Sequence, residues 1–223
     1  MRVVAALGKR TASTRRAVDR GKPTEECQAA CKSLAPLARE HELVISHGNG
    51  PQVGLLALQG SAYKEVEPYP LDVLGAQTEG MIGYLIQREL GNELPPEQRL
   101  ASLLTLIEVD RDDPAFDNPT KPIGPIYREE EAAVLARDKG LGVQARWPQL
   151  PTVVASPAPR RIFGIEPVEW LLEHQCVVIC AGGGGIPVTY SDTSAPAGRR
   201  LVGVEAVIDR GSGQRHAGGR PGR

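Results

Sequence analysis

The chain has 223 residues, enough for one substantial α/β domain or for a core domain with a smaller insertion. Charged residues make up 24% of the sequence and nearly balance, at a formal net charge of -1, so no broad basic field exists that could hold nucleic acid or an acidic membrane. Aromatic residues are only 4%, which leaves little stacking capacity for single-stranded nucleic acid and predicts a small-aliphatic core. The composition favours small-molecule chemistry.

The beginning of the chain predicts the strand, helix, strand unit of a parallel sheet. The apolar run from Val3 to Leu7 predicts a buried strand, and apolar residues at helical spacing predict a helix over about 24–40 with Thr24 as its cap. Leu43 to Ser46 predicts a second strand. Because parallel sheets bind ligands beyond the carboxyl ends of their strands, the loop that follows at 47–54 is a candidate binding site.

Further elements follow in chain order. Apolar residues with a 3.6-residue period predict a long amphipathic helix from Pro70 to about Leu90, with Gly91 and Asn92 as its stop. The run from Ala101 to Val109 predicts a third buried strand. The remaining predicted elements are a helix over Pro167–His174, a fourth strand over Val177–Ala181 and a final apolar segment over 202–209.

The domain organisation is predicted from a change of composition. Residues 110–159 are rich in proline and only 129–139 has a firm helical pattern, which predicts a lid subdomain inserted into the α/β core of residues 1–109 and 160–209. Residues 210–223 contain no aliphatic side chain larger than Ala and are expected to be disordered.

Cysteine usage and the N-terminus bear on the location of the protein. Cys27 and Cys31 share a predicted helix face, and Cys176 and Cys180 lie in an apolar run. Neither pair has the further His or Cys of a tetrahedral zinc site, so buried thiols and no metal site are expected. The apolar run at the N-terminus is too short for a signal peptide or a membrane span, and we expect a cytoplasmic protein with reduced thiols.

The loop after the second strand is the first candidate site. Gly48, Asn49 and Gly50 precede a helix expected to begin near Pro51, where several backbone N–H groups can surround one anion. A tight turn without a ligand is the alternative. The sequence contains neither a P-loop nor a Rossmann fingerprint, so a phosphate site here would be of another type.

A second glycine-rich loop follows the fourth predicted strand. A simple turn needs one or two glycines, so a run of four favours close approach of the backbone to a ligand. The four residues are Gly182, Gly183, Gly184 and Gly185.

Lys121 and His47 are the side chains that could act on an anion bound at these loops. Lys121 lies between Pro119 and Pro122, which restrict the backbone in a way that a merely solvated lysine does not require. His47 is either a general base beside the first loop or a packed, hydrogen-bonded side chain, and phosphoryl transfer needs no base.

Five segments resemble the signatures of the carbamate kinases, in the order of that family. The resemblance covers about residues 22–209, and the PTKPIGP segment is its most specific part. The segments are HGNGPQVG (47–54), YPLDVLGAQTEGMIG (69–83), DPAFDNPTKPIGPIY (113–127), AGGGGIPV (181–188) and GVEAVID (203–209).

The resemblance implies an α/β fold, a three-layer α/β/α sandwich on a mainly parallel sheet with a lid subdomain. It also implies reversible phosphoryl transfer between ATP and carbamate, giving ADP and carbamoyl phosphate, in arginine catabolism. Magnesium with the nucleotide and a homodimer are expected on the same ground.

Site residues are carried over by position in the matching segments. Gly48, Asn49 and Gly50 would hold the transferring phosphoryl group, and Lys121 would supply positive charge from the lid. Gly182 to Gly185 and Gly8 would bind the substrate. Asp209, in the last matching segment, would bind the cofactor.

The chain departs from the family pattern at two places. Gly8 is followed by Lys9 and Arg10 where the family has Asn-Ala-Leu after its paired glycines, and Asp209 is followed by Arg210 where the family has Lys-Asp-Leu. Segments 9–20 and 210–223 have the composition of a GC-rich frame read out of phase, which we interpret as frame shifts. We expect the C-terminal nucleotide-binding half to be missing and the chain to be inactive or impaired.

Two alternatives remain open from the sequence. The chain is either a non-catalytic, anion-binding remnant of the family or another enzyme of the amino-acid kinase superfamily. The lid segment disfavours the second.

Overall fold

The computed structural model describes residues 1–8, 25–63, 65, 68–128, 149–192 and 199–203. Its helices are α1 (Glu25–Glu40), α2 (Gly50–Ala62), α3 (Leu71–Asn92) and α4 (Ile165–Glu173), and two short 3-10 turns cover Pro114–Phe116 and Gly182–Gly184. Its strands are β1 (Arg2–Leu7), β2 (Glu42–His47), β3 (Arg99–Ser102), β4 (Leu106–Val109), β5 (Lys121–Arg128), β6 (Gln149–Val154), β7 (Pro159–Ile162), β8 (Cys176–Ile179), β9 (Ile186–Asp192) and β10 (Arg199–Gly203).

Four strands form a parallel sheet in the order β1-β2-β8-β3. Parallel strands need crossover connections, and α1 supplies the one from β1 to β2. All four strands therefore end at the same edge of the sheet, where His47 pairs with Leu7 and Ile179 pairs with Ser102. That edge carries the candidate binding loops.

Helices cover both faces of this sheet. On β2, Leu43 and Ile45 pack into a cluster with α1 and α3, whereas Val44 packs with α4 on the other face. β8 alternates in the same way, with Val177 in the first cluster and Val178 in the second. Because successive side chains of a strand point to opposite faces, the two clusters make three layers, as the sequence predicted.

A second sheet has the mixed order β10-β9-β4-β7. β4 and β9 are parallel, and β10 and β7 are antiparallel strands at the edges. The predicted final apolar segment at 202–209 is described only to Gly203, in β10.

The single strand predicted over Ala101–Val109 is wrong. The structure divides this run into β3, which pairs with β8, and β4, which pairs with β9. Between them, the Leu103 N–H donates to Ile179 and the Thr105 carbonyl accepts from Ile186, so the pairing partner changes within three residues. The apolar pattern continues through both strands and does not mark the change.

The proline-rich insertion contains a two-stranded antiparallel sheet of β5 and β6. Val154, at the end of β6, is buried with Val53 of α2 and Leu74 of α3, so this sheet lies against the helix that follows the first candidate loop. The helix expected at 129–139 lies outside the described residues, and the lid as a separate subdomain stays a prediction.

The structure also describes the four cysteines and the longer helices. All four cysteines are buried and none forms a disulfide, and Cys27 and Cys31 share the core face of α1. In the part of the chain that the structure describes, no helix is both long and apolar enough to cross a membrane. Thr24, residues 9–20 and residues 210–223 lie outside the described ranges.

Candidate functional site

The first candidate loop connects the end of β2 to the beginning of α2. The Gly48 N–H donates to the Leu7 carbonyl at 3.1 Å, and the Asn49 carbonyl accepts from the N–H groups of Gln52 and Val53 at 3.0 Å each. The Asn49 side chain does not cap α2; its Nδ2 donates to Thr78 Oγ1 at 3.0 Å. Pro51 has no N–H group, and those of Gly48, Gln52 and Val53 already donate to backbone carbonyls, so the N–H groups of Asn49 and Gly50 are the ones that suit an anion.

The second loop, residues 182–185, is called the glycine loop below. Gly183, Gly184 and Gly185 have φ values of 68°, 99° and 92°, which disfavour any residue with a Cβ. Ala181, which precedes them, also has a positive φ of 53°.

The glycine loop approaches its own protein closely. A Cβ on Gly182 would overlap the His47 ring and lie 2.7 Å from Glu79 Cγ, and a Cβ on Gly183 would overlap the Asn49 side chain. The close approach that the sequence predicted is thus made to protein side chains. These side chains fill the space beside Gly182 and Gly183, called here the inner side of the loop. A Cβ on Gly184 would meet nothing within 4 Å, and this open space is called its outer side.

Lys121 lies beside the glycine loop. It begins β5, its side chain is exposed, and its Nζ donates to the Gly183 carbonyl at 3.1 Å. The structure therefore brings together three predicted segments that are distant in sequence: the first loop, the lysine and the glycine loop.

Of the two remaining predicted site residues, the structure describes Gly8 but not Asp209. Gly8 directly follows β1 at the same sheet edge, is exposed, and would meet nothing within 4 Å if it carried a Cβ. It lies next to Leu7, which accepts the Gly48 N–H, and so is close to the first loop. Asp209 lies outside the described residues.

The sequence analysis missed two hydrogen-bonded residues next to the glycine loop, Glu79 and Thr105. Glu79 of α3 is only 4% exposed, and its Oε2 accepts from the Thr105 N–H at 2.9 Å. Burial raises the pKa of Glu79 to about 7, against the opposing effect of the Thr105 hydrogen bond. The available signal was that Glu79 shares the apolar stripe of α3 with Ile82 and Ile86.

His47 is a packed residue. Its side chain is 6% exposed and lies against Gly182, with Nδ1 3.4 Å from the Gly48 carbonyl. Burial lowers the pKa of His47, although the contact with Gly48 acts the other way. A neutral, enclosed imidazole fits the packing interpretation better than the role of a general base.

Within the ranges given above, no group of three or more His, Cys, Asp or Glu side chains is placed to hold a metal ion.

Comparisons with known proteins identify relatives along nearly the whole chain. The carbamate kinase of Rhizobium meliloti is 54% identical over 216 residues, covering 94% of this chain and 64% of the relative. The carbamate kinase of Trichomonas vaginalis is 39% identical over 226 residues, covering 96% of this chain and 69% of the relative. No protein-family model matches the sequence.

Solved structures give the same result. The carbamate kinase of Giardia lamblia bound to citric acid aligns with a TM-score of 0.77 at 29% identity, covering 94% of this chain and 69% of that one. The same enzyme bound to AMP-PNP aligns with a TM-score of 0.71 at 30% identity, covering 94% and 68%. The chain thus spans about two thirds of the length of the proteins it matches, and it belongs to the carbamate kinase family.

Proposed function

We propose that the chain is the acceptor-binding part of a carbamate kinase-type phosphotransferase, which moves a phosphoryl group reversibly between ATP and carbamate. The products are ADP and carbamoyl phosphate, and the proposed role is in arginine catabolism. The observation that carries the proposal is the 3.1 Å hydrogen bond from Lys121 to Gly183, which unites the lysine and glycine segments at the sheet edge of the first loop. Family membership supports it independently.

In this proposal the first loop binds the transferring phosphoryl group. Gly48, Asn49 and Gly50 lie at the N-terminus of α2, which has 13 residues and no side-chain cap. The Gly48 N–H already donates to Leu7, so the proposed donors are the N–H groups of Asn49 and Gly50. The helix dipole favours negative charge at this end, and glycine lets the backbone come close to phosphate oxygens.

Lys121 supplies the positive charge. As a carbamate oxygen bonds to the γ-phosphorus and the bond to the ADP oxygen breaks, charge spreads over the three remaining phosphoryl oxygens. An ammonium fixed beside them, together with backbone donors that need no reorganisation, stabilises that charge. The bond to Gly183 holds the ammonium near the site.

The glycine loop is the proposed carbamate side of the site. Its inner side is filled by His47, Asn49 and Glu79, so its outer side is the one that can face a ligand. Gly8 is close enough to the first loop to share in substrate binding.

The resemblance to the family also supports proposals about the nucleotide, the metal ion and the oligomeric state. The Giardia lamblia relative has been solved with AMP-PNP, which supports ATP or ADP as the second substrate. Magnesium would accompany the nucleotide, with Asp209 as a proposed cofactor-binding residue; the described residues do not form a metal cluster, and no step here depends on the ion. We further propose that the protein is a homodimer in the cytoplasm. Its proposed domains are a core of residues 1–109 and 160–209 and a lid of residues 110–159.

The test is an acceptor panel. A full-length version, completed with the residues of the Rhizobium meliloti relative beyond the match, is assayed with ATP, magnesium and carbamate, acetylglutamate, aspartate or a nucleoside monophosphate. We expect turnover with carbamate alone. Preference for another acceptor would replace the proposed substrate, and no turnover with any acceptor, while the relative itself is active, would contradict the proposal.

A further inference from the structure

Thr105 connects both ends of the glycine loop to α3. Its Oγ1 accepts from the Ala181 N–H at 2.8 Å, just before the loop, and its carbonyl accepts from the Ile186 N–H at 2.7 Å, just after it. Its own N–H donates to Glu79 Oε2 at 2.9 Å. Two of these hydrogen bonds fix where the loop begins and ends, and the third ties Thr105 to α3.

We propose that Glu79 and Thr105 are positioning residues for the phosphoryl site, which hold the glycine loop so that the Gly183 carbonyl orients the ammonium of Lys121. The proposal rests on the proposed function only in assuming that the glycine loop belongs to the substrate site. That Glu79 and Thr105 hold the loop is a separate claim with its own readout.

The glycine loop needs such support because of its composition. A run of four glycines has no side chains that could pack and loses more conformational freedom on ordering than any other sequence. Within the loop, the turn is closed by hydrogen bonds from Gly184 to Ala181 and from Gly185 to Gly182, at 3.1 Å each. These bonds shape the turn, whereas the bonds to Thr105 attach it to the rest of the protein.

The burial of Glu79 argues for a specific role. Its Oε1 is buried and has no hydrogen-bond partner among the residues that the structure describes. A buried carboxyl with one unsatisfied oxygen lowers stability relative to an apolar residue, so simple packing does not account for glutamate here. What this carboxyl provides is the hydrogen bond to Thr105.

The structure also indicates how the effect reaches the substrate. Thr105 and Glu79 are 5% and 4% exposed and lie behind the loop, so neither is placed to touch a ligand on its outer side. Lys121 contacts that loop from β5 through Gly183. Displacement of the loop would therefore move the acceptor of the Lys121 hydrogen bond.

The first arm of the test is amide hydrogen exchange in the 223-residue chain. Thr105→Val removes the hydroxyl that accepts from Ala181, and Thr105→Ser keeps it. We expect Thr105→Val to speed exchange at Ala181 and Ile186 by about tenfold or more, Thr105→Ser to stay near wild type, and amides of α1 to be unchanged in both. Equal exchange in the valine variant and wild type would overturn the proposal.

Glu79 is tested in the same way. Glu79→Gln keeps an oxygen that accepts from Thr105, whereas Glu79→Ala removes it. The alanine variant is expected to speed exchange at Thr105 and in the glycine loop by about tenfold, and the glutamine variant to restore protection. If Glu79→Ala does not fold, the two Thr105 variants decide the question.

The second arm links the loop to Lys121. Affinity for carbamoyl phosphate is measured in Glu79→Ala, Lys121→Ala and the double variant. We expect Glu79→Ala to weaken binding several-fold when Lys121 is present and little when it is absent. Equal weakening in both backgrounds would overturn the proposed route through Lys121. Failure of the wild-type chain to bind carbamoyl phosphate would count against the proposed function, and the exchange arm would still decide whether Thr105 and Glu79 hold the loop.

Discussion

Lys121 and Gly183 are 62 positions apart in the sequence, and a 3.1 Å hydrogen bond joins the Lys121 ammonium to the Gly183 carbonyl. The lysine begins β5 of the insertion and the glycine belongs to the loop after β8 of the parallel sheet. The bond brings a cation to the sheet edge where the first loop also lies.

Removal of the Lys121 ammonium should impair phosphoryl transfer and leave the fold intact. In the full-length version, Lys121→Ala is expected to lower kcat by about 100-fold or more, since removing one transition-state donor has effects of that size. Because the side chain is exposed, the thermal midpoint should change little. Lys32→Ala, at an exposed lysine of α1, is the matched control. A rate near wild type would make Lys121 an ordinary surface residue.

A methyl group at Gly182 should destabilise the protein. Gly182→Ala places a Cβ against His47 and Glu79, so we expect a loss of about 1–3 kcal/mol in the free energy of unfolding. Gly80→Ala is the control, because that exposed position in α3 has nothing within 4 Å and should become more stable by about 0.5–1 kcal/mol. Denaturant unfolding measures both. Equal stabilities for the two variants would contradict the packing described here.

Glu79 should make stability depend on pH. Its pKa is raised from 4.5 to about 7 by burial, so the folded state binds this proton more tightly than the unfolded state. The resulting contribution to stability is fully present below about pH 4.5 and is lost as pH rises through about 7. Glu79→Gln cannot ionise. As the pH rises through this range, we therefore expect the free energy of unfolding of the Glu79→Gln variant to increase relative to that of wild type, by on the order of 1–3 kcal/mol. A constant difference between the two proteins would show that Glu79 ionises normally.

The 223-residue chain itself is expected to show little or no ATP formation from carbamoyl phosphate, ADP and magnesium. It spans 64% of the Rhizobium meliloti relative. The family resemblance implies that nucleotide binding belongs to the part of such proteins beyond the match, and holding the donor in line with the acceptor can account for about 7–11 kcal/mol of barrier lowering. A coupled assay of ATP release measures this. Robust turnover that requires Lys121 would contradict the expectation.

The sequence predicted the parallel sheet and its helices because their apolar periods are clear. Arg2–Leu7, Glu42–His47 and Leu71–Asn92 differ from the expected elements by one or two residues at their ends. The division of the 101–109 run was not predictable. It depends on hydrogen bonds from Leu103 to Ile179 and from Ile186 to Thr105, whose partners lie far away in the sequence.

The candidate site was predictable where its residues are chemically conspicuous. The four glycines and the proline-flanked Lys121 stand out in the sequence, and the structure places them together. Thr105 is an ordinary residue within an apolar run. Its role depends on three hydrogen bonds with two other segments, from the backbone N–H groups of Ala181 and Ile186 and to the side chain of Glu79. Such a connecting residue becomes visible only when the segments are brought together in space.

The most direct test of the central claim is calorimetric titration of the 223-residue chain with carbamoyl phosphate. Wild type and Lys32→Ala are expected to bind one equivalent saturably and to release it when inorganic phosphate is added. Lys121→Ala should bind at least about tenfold more weakly, because the ammonium beside Gly183 is part of the site. No binding by the folded wild-type chain, or equal affinities in wild type and Lys121→Ala, would contradict the account.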